Sequence, residues 1–324
     1  MNDLRGSLLT TRGSAKDRLL AVAQLMRLAN VFTAMADVWM GFILVVGSLQ
    51  PVLLSLGLTM CSCLLYTAGM VLNDVMDISV DSVQRPERPL PSGRVSLHFA
   101  AVLGWSLLGA GVLAGFGMSV LSRNAAPGLI AWALSVMIVA YNSWLKNTWC
   151  GPFAMAACRA ANVLLGMSPR IVQLDPYDCF LVLDTLAPAA GIGCYVCGIC
   201  WFAREEHGIS RRGPLLLGVA LMTGGLILIG AAPWWELAAS CLQRPHWQWI
   251  AAWSVLGVLV LWRCIGAICK PVAGRVQQAV GYAILLIIPI DAAICWGYAE
   301  WGWACLVLAL ILPGRLLSRW LRVT

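Results

Sequence analysis

The segment Asn73-Asp74-Val75-Met76-Asp77-Ile78-Ser79-Val80-Asp81, followed at once by Arg85-Pro86-Glu87-Arg88-Pro89, gathers acids and arginines at the end of a long apolar run. Only 11% of the 324 residues are charged, so a cluster this dense calls for a chemical reason. Asp74, Asp77 and Asp81 stand at i, i+3 and i+7, which places them on one face of a continuous helix. Carboxylates crowded in this way repel unless a cation lies between them. Mg²⁺ suits such hard oxygen ligands and keeps waters and substrate phosphates in its shell. Arg85 and Arg88 suit the same substrate, because guanidinium matches phosphate geometry. The pattern points to a diphosphate–Mg²⁺ site at a membrane surface. A solvated acidic loop between two membrane helices is the plainer alternative. The third acid in phase, the leading Asn73 and the Arg-Pro turn weigh against it.

Further polar residues fall in or at the ends of apolar runs, where they are costly and therefore functional candidates. Arg27 and Asn30 open the first run, Tyr141 and Lys146 close the fourth, and Arg159 and Asn162 lie mid-way along the fifth. All three pairs are placed to face the acidic motif across a helical bundle. Arg27 and Lys146 are equally readable as side chains snorkelling to the interface. Arg159, well inside its run, needs an anion or several carbonyls. A second acidic cluster, Phe202-Ala203-Arg204-Glu205-Glu206-His207-Gly208, is followed by Arg211 and Arg212. Glu205 and Glu206 are candidates for a weakened second cation site facing the first. Asp37 is expected to pair with Arg27 or Arg159; Glu236 and Asp291 have no obvious role. The 13 cysteines lie mostly in apolar runs, where Cys acts as a small hydrophobe. Cys194-x-x-Cys197-x-x-Cys200 lacks a fourth ligand at iron–sulfur spacing, Arg204 standing there instead.

These residues must be held by membrane helices. Hydrophobic residues make up 60% of the chain and the mean hydropathy is +0.81, far beyond what a soluble core needs. Runs of about 20 apolar residues, enough to span a bilayer, appear near 25–48, 51–72, 97–121, 127–145, 149–169, 184–203, 214–233, 247–268 and 276–298, with a shorter one at 300–314. No soluble domain fits between them, so residues 1–324 read as one multi-pass membrane domain with a tail at 1–23. That tail carries Arg5, Arg12, Lys16 and Arg18 without a clean apolar region, which argues against a cleaved signal peptide. With the N-terminus inside, 16 of the 22 Lys and Arg residues fall in inner segments and three in outer loops, the other three (Arg27, Arg159, Arg263) lying within spans. The bias predicts a cytoplasmic N-terminus and cytoplasmic acidic motifs, in a plasma (inner) membrane. The net charge of +7 is then a topology signal and gives no reason to invoke nucleic acid. Trp, 16 in number, clusters near span ends, as interface anchors do.

From about Arg27 to the loop near Arg212 the chain resembles the UbiA-type intramembrane prenyltransferase superfamily. The family's NDxxDxxxD motif matches at Asn73, Asp74, Asp77 and Asp81, RPERPLPSGRVS at 85–96 is similar to its basic stretch, and YNSWLKN at 141–147 to its Tyr…Lys element. The resemblance implies an all-α bundle of nine or ten helices around a central chamber open to lipid, capped by the motif loops. It also implies Mg²⁺ on the aspartates gripping a prenyl diphosphate, ionisation to an allylic cation, and capture by a hydrophobic acceptor in a dry chamber. On that reading Asp74, Asp77, Asp81, Lys146 and Arg159 serve catalysis, while Arg27, Asn30, Asn73, Arg85, Arg88, Tyr141 and Asn162 bind substrate. The family's second motif, DxxxD, is degenerate here: four residues on from Glu205 and Glu206 stand Ile209 and Ser210. With the run CRAANVLLGMS, this is similar to the divergent EboC-like branch.

Three other classes compete. A catalytically weakened relative could bind a prenylated or diphosphate ligand and assist metabolite trafficking. A CDP-alcohol phosphotransferase would need a Gly and paired downstream aspartates that Asp74 and Asp77 lack. A secondary transporter would show an inverted repeat, and none is evident.

Overall fold

The computed structural model describes residues 15–171, 179–204, 210–234 and 242–321, with the backbone alone for residues 15, 171 and 179–185. In chain order the helices are α1 (Ala15–Leu25), α2 (Val31–Val46), α3 (Val52–Met76), α4 (Ile78–Gln84), α5 (Leu97–Ser122), α6 (Ala126–Ser143), α7 (Gly151–Ile171), α8 (Cys179–Phe202) and α9 (Arg212–Gly230). They continue as α10 (His246–Cys269), α11 (Ala273–Leu285), α12 (Ile287–Tyr298), α13 (Trp301–Ala309) and α14 (Ile311–Leu321). Among the described residues there is no strand, as expected where every backbone polar group must be satisfied within its own segment. Among the described residues, eight helical stretches are long and apolar enough to cross a membrane; α11–α12 and α13–α14 each make one such stretch. The multi-pass helical architecture anticipated from the apolar runs is therefore the one adopted.

Two apolar cores share α2 and α7 as a common wall. One, with Val38, Phe42, Leu58, Leu65, Leu134 and Leu165, joins these helices to α3, α5 and α6. The other, with Met40, Ile43, Val163, Ile192, Leu226 and Ile290, joins them to α8, α9, α10 and α12. α2 and α7 can approach because Gly41 packs against the Val163 carbonyl and Gly166 against the Val38 backbone, with no room for a Cβ at either. Small residues at a helix crossing are what membrane packing requires, since lipid offers no hydrophobic drive between helices. The outward faces carry exposed Trp105, Leu113, Trp132, Leu217, Val258 and Trp262, a surface suited to acyl chains rather than water.

A third, smaller cluster of Ala21, Leu25, Val71, Leu90, Val95 and Ala100 pins α1 and the basic loop 85–96 onto α3 and α5. Arg94 adds hydrogen bonds to the Gln24 side chain (2.9 Å) and the Glu87 carbonyl (2.7 Å). Gln24 Nε2 in turn donates to the Leu321 carbonyl at 3.4 Å. The two ends of the described chain and the acidic motif thus lie at one face of the bundle.

Candidate active site

The site begins at the end of α3. Ser62, Tyr66, Gly69 and Asn73 follow one another at spacings of four, three and four, one stripe of the helix, and all four line a cavity of about 390 Å³. α6 contributes Tyr141 and Asn142, α7 contributes Cys158, Arg159 and Asn162, and the basic loop closes the mouth with Arg85 and Arg88. Arg27 completes the rim. Ser62, Tyr66 and Asn142 were missed in the sequence. Reading the helical stripe back from Asn73 in steps of three and four would have found the first two. Asn142 is held by the Gly69 carbonyl, to which it donates at 3.1 Å.

The three aspartates do not stand on one uninterrupted helix. α3 ends at Met76 and α4 starts at Ile78, with Asp77 between them at φ −94°, ψ 6°. Hydrogen bonds still run through the junction, from Asp77 N to Asn73 O (3.0 Å) and from Asp81 N to Asp77 O (2.8 Å), so the helix is interrupted at Asp77 without losing its ladder. The three carboxylates divide between two sets of cations. Asp74 and Asp81, both buried, share Arg88, whose Nη1 lies 2.6 Å from Asp81 Oδ2 and 3.5 Å from Asp74 Oδ1. Arg27 reaches Asp74 Oδ1 at 3.1 Å and Arg85 comes to 4.0 Å from Asp81. Asp77 turns the other way, to Lys146 Nζ at 2.6 Å, and accepts from Asn73 Nδ2 at 3.2 Å. Among the described residues no three His, Cys, Asp or Glu side chains converge as a ready-made metal cluster. The cations that neutralise these acids are the chain's own arginines and lysine.

Arg27 reaches its partner through an unusual backbone. It adopts φ 46°, ψ 46°, the left-handed region that L-residues with a Cβ seldom occupy, between α1 and the turn Leu28–Asn30. Asn30 does not line the central cavity; it faces two neighbouring ones beyond that turn.

Beneath the mouth lies a second ionic cluster. Arg159 Nε stands 2.6 Å from Asp37 Oδ2, and its Nη2 donates to the Thr33 carbonyl at 2.7 Å. Asn162 donates to Asp37 Oδ2 and to the Ala34 carbonyl, both at 3.0 Å, and accepts from Ser62 Oγ at 2.6 Å. Of the two partners considered for Asp37, the fold selects Arg159. Asp291 of α12 is buried near Asp37. Asp37 Oδ1 and both Asp291 oxygens have no donor among the described residues. Glu205, Glu206 and Glu236 lie outside the described residues. In the Cys194–Cys200 series, Cys194 Sγ donates to the Leu221 carbonyl at 3.3 Å, tying α8 to α9.

Residues 34–269 match the model of the UbiA prenyltransferase family. The chain belongs to that family. Curated relatives include digeranylgeranylglyceryl phosphate synthases from Metallosphaera sedula (31% identity over 44% of this chain and 49% of that protein) and Saccharolobus solfataricus (31% over 46% and 51%). The Methanosarcina mazei protein of the same name is 41% identical over 25% of this chain and 26% of its own. These matches span from about a quarter to a half of the relatives' length. Two solved structures share the fold. One, of digeranylgeranylglyceryl phosphate synthase in membranes, superposes with a TM-score of 0.61 at 17% identity, covering 87% of this chain and 98% of that one. The other, an apo UbiA homologue from Aeropyrum pernix K1, gives 0.58 at 17% identity, covering 82% and 96%. At that identity the likeness establishes the UbiA architecture alone.

Proposed function

We propose that this UbiA-family protein transfers a prenyl group from a prenyl diphosphate to a lipid-soluble or amphipathic acceptor within the bilayer. The observation that carries the reading is the meeting of Asp74, Asp77 and Asp81 with Arg27, Arg88 and Lys146 at the mouth of a cavity walled by Tyr66 and Tyr141. Mg²⁺ bound with a diphosphate needs only one or two protein carboxylates, the phosphates and waters supplying the rest. The oxygen donors of Asp74, Asp77 and Asp81 fit that requirement without forming a closed protein cage. When bound, the metal would neutralise charge on the departing diphosphate.

The side chains supply the remaining chemistry. Arg88, Arg27 and Lys146 present donors that can pass from carboxylate to phosphate, and Arg85 stands ready at the rim. Such cations, already in place, stabilise charge that grows as the carbon–oxygen bond breaks. Tyr66 and Tyr141 put aromatic rings in the wall of the chamber, and ring faces attract positive charge such as an allylic cation. The apolar part of the wall, with Leu65, Met70, Leu134, Ile138 and Met155, would shield that cation from water. The relatives' name describes a product bearing a glyceryl phosphate, one acceptor of the amphipathic kind proposed here.

Incubating purified protein with Mg²⁺ and labelled C10 to C20 prenyl diphosphates tests the reading. Release of pyrophosphate, even by slow hydrolysis, is expected. Tight binding without release would instead support a carrier of prenyl diphosphates.

The same reading places the acidic motif on the cytoplasmic side of the plasma membrane, with an even number of crossings between α1 and α14. Its support is the basic bias of the inner segments and the contact between Gln24 and Leu321. Ser92, exposed in the basic loop, tests it: Ser92→Cys, in a background cleared of reactive thiols, should escape an impermeant thiol reagent in intact cells.

A further inference from the structure

A second cavity, about 660 Å³ and larger than the central one, lies behind the turn Leu28–Asn30. Its walls come from the start of α2, from α10, α11 and α14, and they carry Arg263, Arg315 and Arg319 beside Asn30, Gln278 and Ser318. Its lining includes no acidic residue. Among the described residues, none of the three arginines has a carboxylate within ion-pair distance.

Topology alone explains basic residues at the inner ends of helices. It does not explain Arg263, which sits six residues before the end of α10, about 9 Å along the helix axis. Its guanidinium lies over the Tyr282 ring of α11, 5.4 Å from the centroid, on the cavity wall. α14 supplies the other two arginines from one side of an amphipathic helix: Arg315, Ser318 and Arg319 line the cavity, while exposed Leu312, Leu316 and Trp320 follow one another at four-residue spacing on another side. Helices distant in sequence thus bring three guanidinium groups and several neutral donors around one space, next to the cavity that Arg27, Asp74 and Arg88 line.

We propose that this cavity binds the phosphate group of an anionic membrane lipid, whose acyl chains would run along the apolar outer face of α14. Guanidinium groups suit phosphate oxygens, and basic pockets between membrane helices are where anionic headgroups lodge. The site is separate from the aspartate motif and does not depend on prenyl transfer. Ala29, Asn30 and Ser318 nevertheless border both this cavity and the one beside Arg27, Asp74 and Arg88. A headgroup here would therefore sit one turn of chain away from the acidic mouth.

Native mass spectrometry of the full chain in detergent, titrated with phosphatidylglycerol or phosphatidylcholine, measures the site directly. The wild-type protein should retain phosphatidylglycerol in preference to phosphatidylcholine. The triple variant Arg263→Gln, Arg315→Gln, Arg319→Gln should bind phosphatidylglycerol about a hundredfold more weakly, and Arg263→Gln alone about fivefold more weakly. Arg212→Gln, an exposed change at the start of α9 and outside the cavity lining, should leave binding unchanged. Inorganic phosphate added at millimolar concentration separates the sources: failure to displace the lipid supports a headgroup site, and displacement supports a site for free phosphate. Equal retention by the wild type and the triple variant overturns the proposal, as does an equal loss in the Arg212 control. Should the triple variant not purify, wild-type retention by Arg263→Gln alone overturns it.

Discussion

The mouth of the chamber and the cluster beneath it use the same residue types to opposite ends. At the mouth each pair keeps one partner within reach of water: Arg27 is 35% exposed beside a buried Asp74 (7%), and Asp77 27% beside a largely buried Lys146 (10%). Below, Asp37 has no exposure and Arg159 only 11%. Pairs with one partner at the surface contribute less to stability, because water and salt compete for that partner. They are correspondingly free to exchange a carboxylate for an incoming phosphate or metal. A buried pair has no such alternative, and removing one partner leaves a charge with nothing to answer it. The upper cluster is thus built to be rearranged by a ligand. The lower one is built to hold Arg159 and Asn162 in the chamber wall at a fixed place, through the Thr33 and Ala34 carbonyls and Ser62.

The largest expected effect tests the lower cluster. Asp37→Ala should lower the stability of the purified protein by about 3 to 5 kcal/mol in denaturant or thermal unfolding, because the largely buried Arg159 loses its carboxylate and keeps only the Thr33 carbonyl. Replacing both residues, as Asp37→Leu with Arg159→Met, should recover most of that loss. A single variant as stable as the wild type would erase the distinction between the clusters. Next in size, Asp74→Ala should reduce prenyl diphosphate binding or turnover at least about a hundredfold, roughly 2.7 kcal/mol. Its unfolding should shift by no more than about 1 kcal/mol, since Arg27 and Arg88 can turn to solvent. A stability loss as large as that of Asp37→Ala would place Asp74 among the structural acids. The smallest effect concerns Arg27. Arg27→Gly relieves a left-handed residue by about 1 kcal/mol and removes a partly exposed pair of similar worth, so stability should stay near the wild-type value. Diphosphate affinity, measured by titration with a non-hydrolysable thiodiphosphate, should still fall about fivefold. Unchanged affinity would restrict phosphate binding to Arg88 and Lys146.

The all-α membrane architecture was legible because the bilayer imposes it: apolar runs of spanning length have little choice but helix. Tyr141, Arg159 and Asn162 were legible because polar groups in or at the ends of such runs need a reason to be there, and Asn73 and Asp74 were legible from the acidic motif just after the run. The split of Asp77 from Asp74 and Asp81 was not. Periodicity assumes an unbroken helix, whereas the helix is interrupted at Asp77 and the partner of that acid, Lys146, stands 69 positions away. Nor was the choice of Arg159 for Asp37 legible, since Arg27 carries the same charge and lies nearer in sequence.

What the sequence determined by itself is therefore local and chemical: which segments must be helices, which residues carry charge into them, and a family motif at 73–81. What only the tertiary structure decided is which charge meets which. Asp37 takes Arg159, Asp74 takes Arg27 and Arg88, and Asp77 takes Lys146. Arg263, Arg315 and Arg319 are left facing one cavity. The physical reason is range. Helix formation in a membrane is settled within a few residues by backbone hydrogen bonding, whereas an ion pair is settled by helix packing, here by the contact of α2 with α7 through Gly41 and Gly166, which no local pattern encodes.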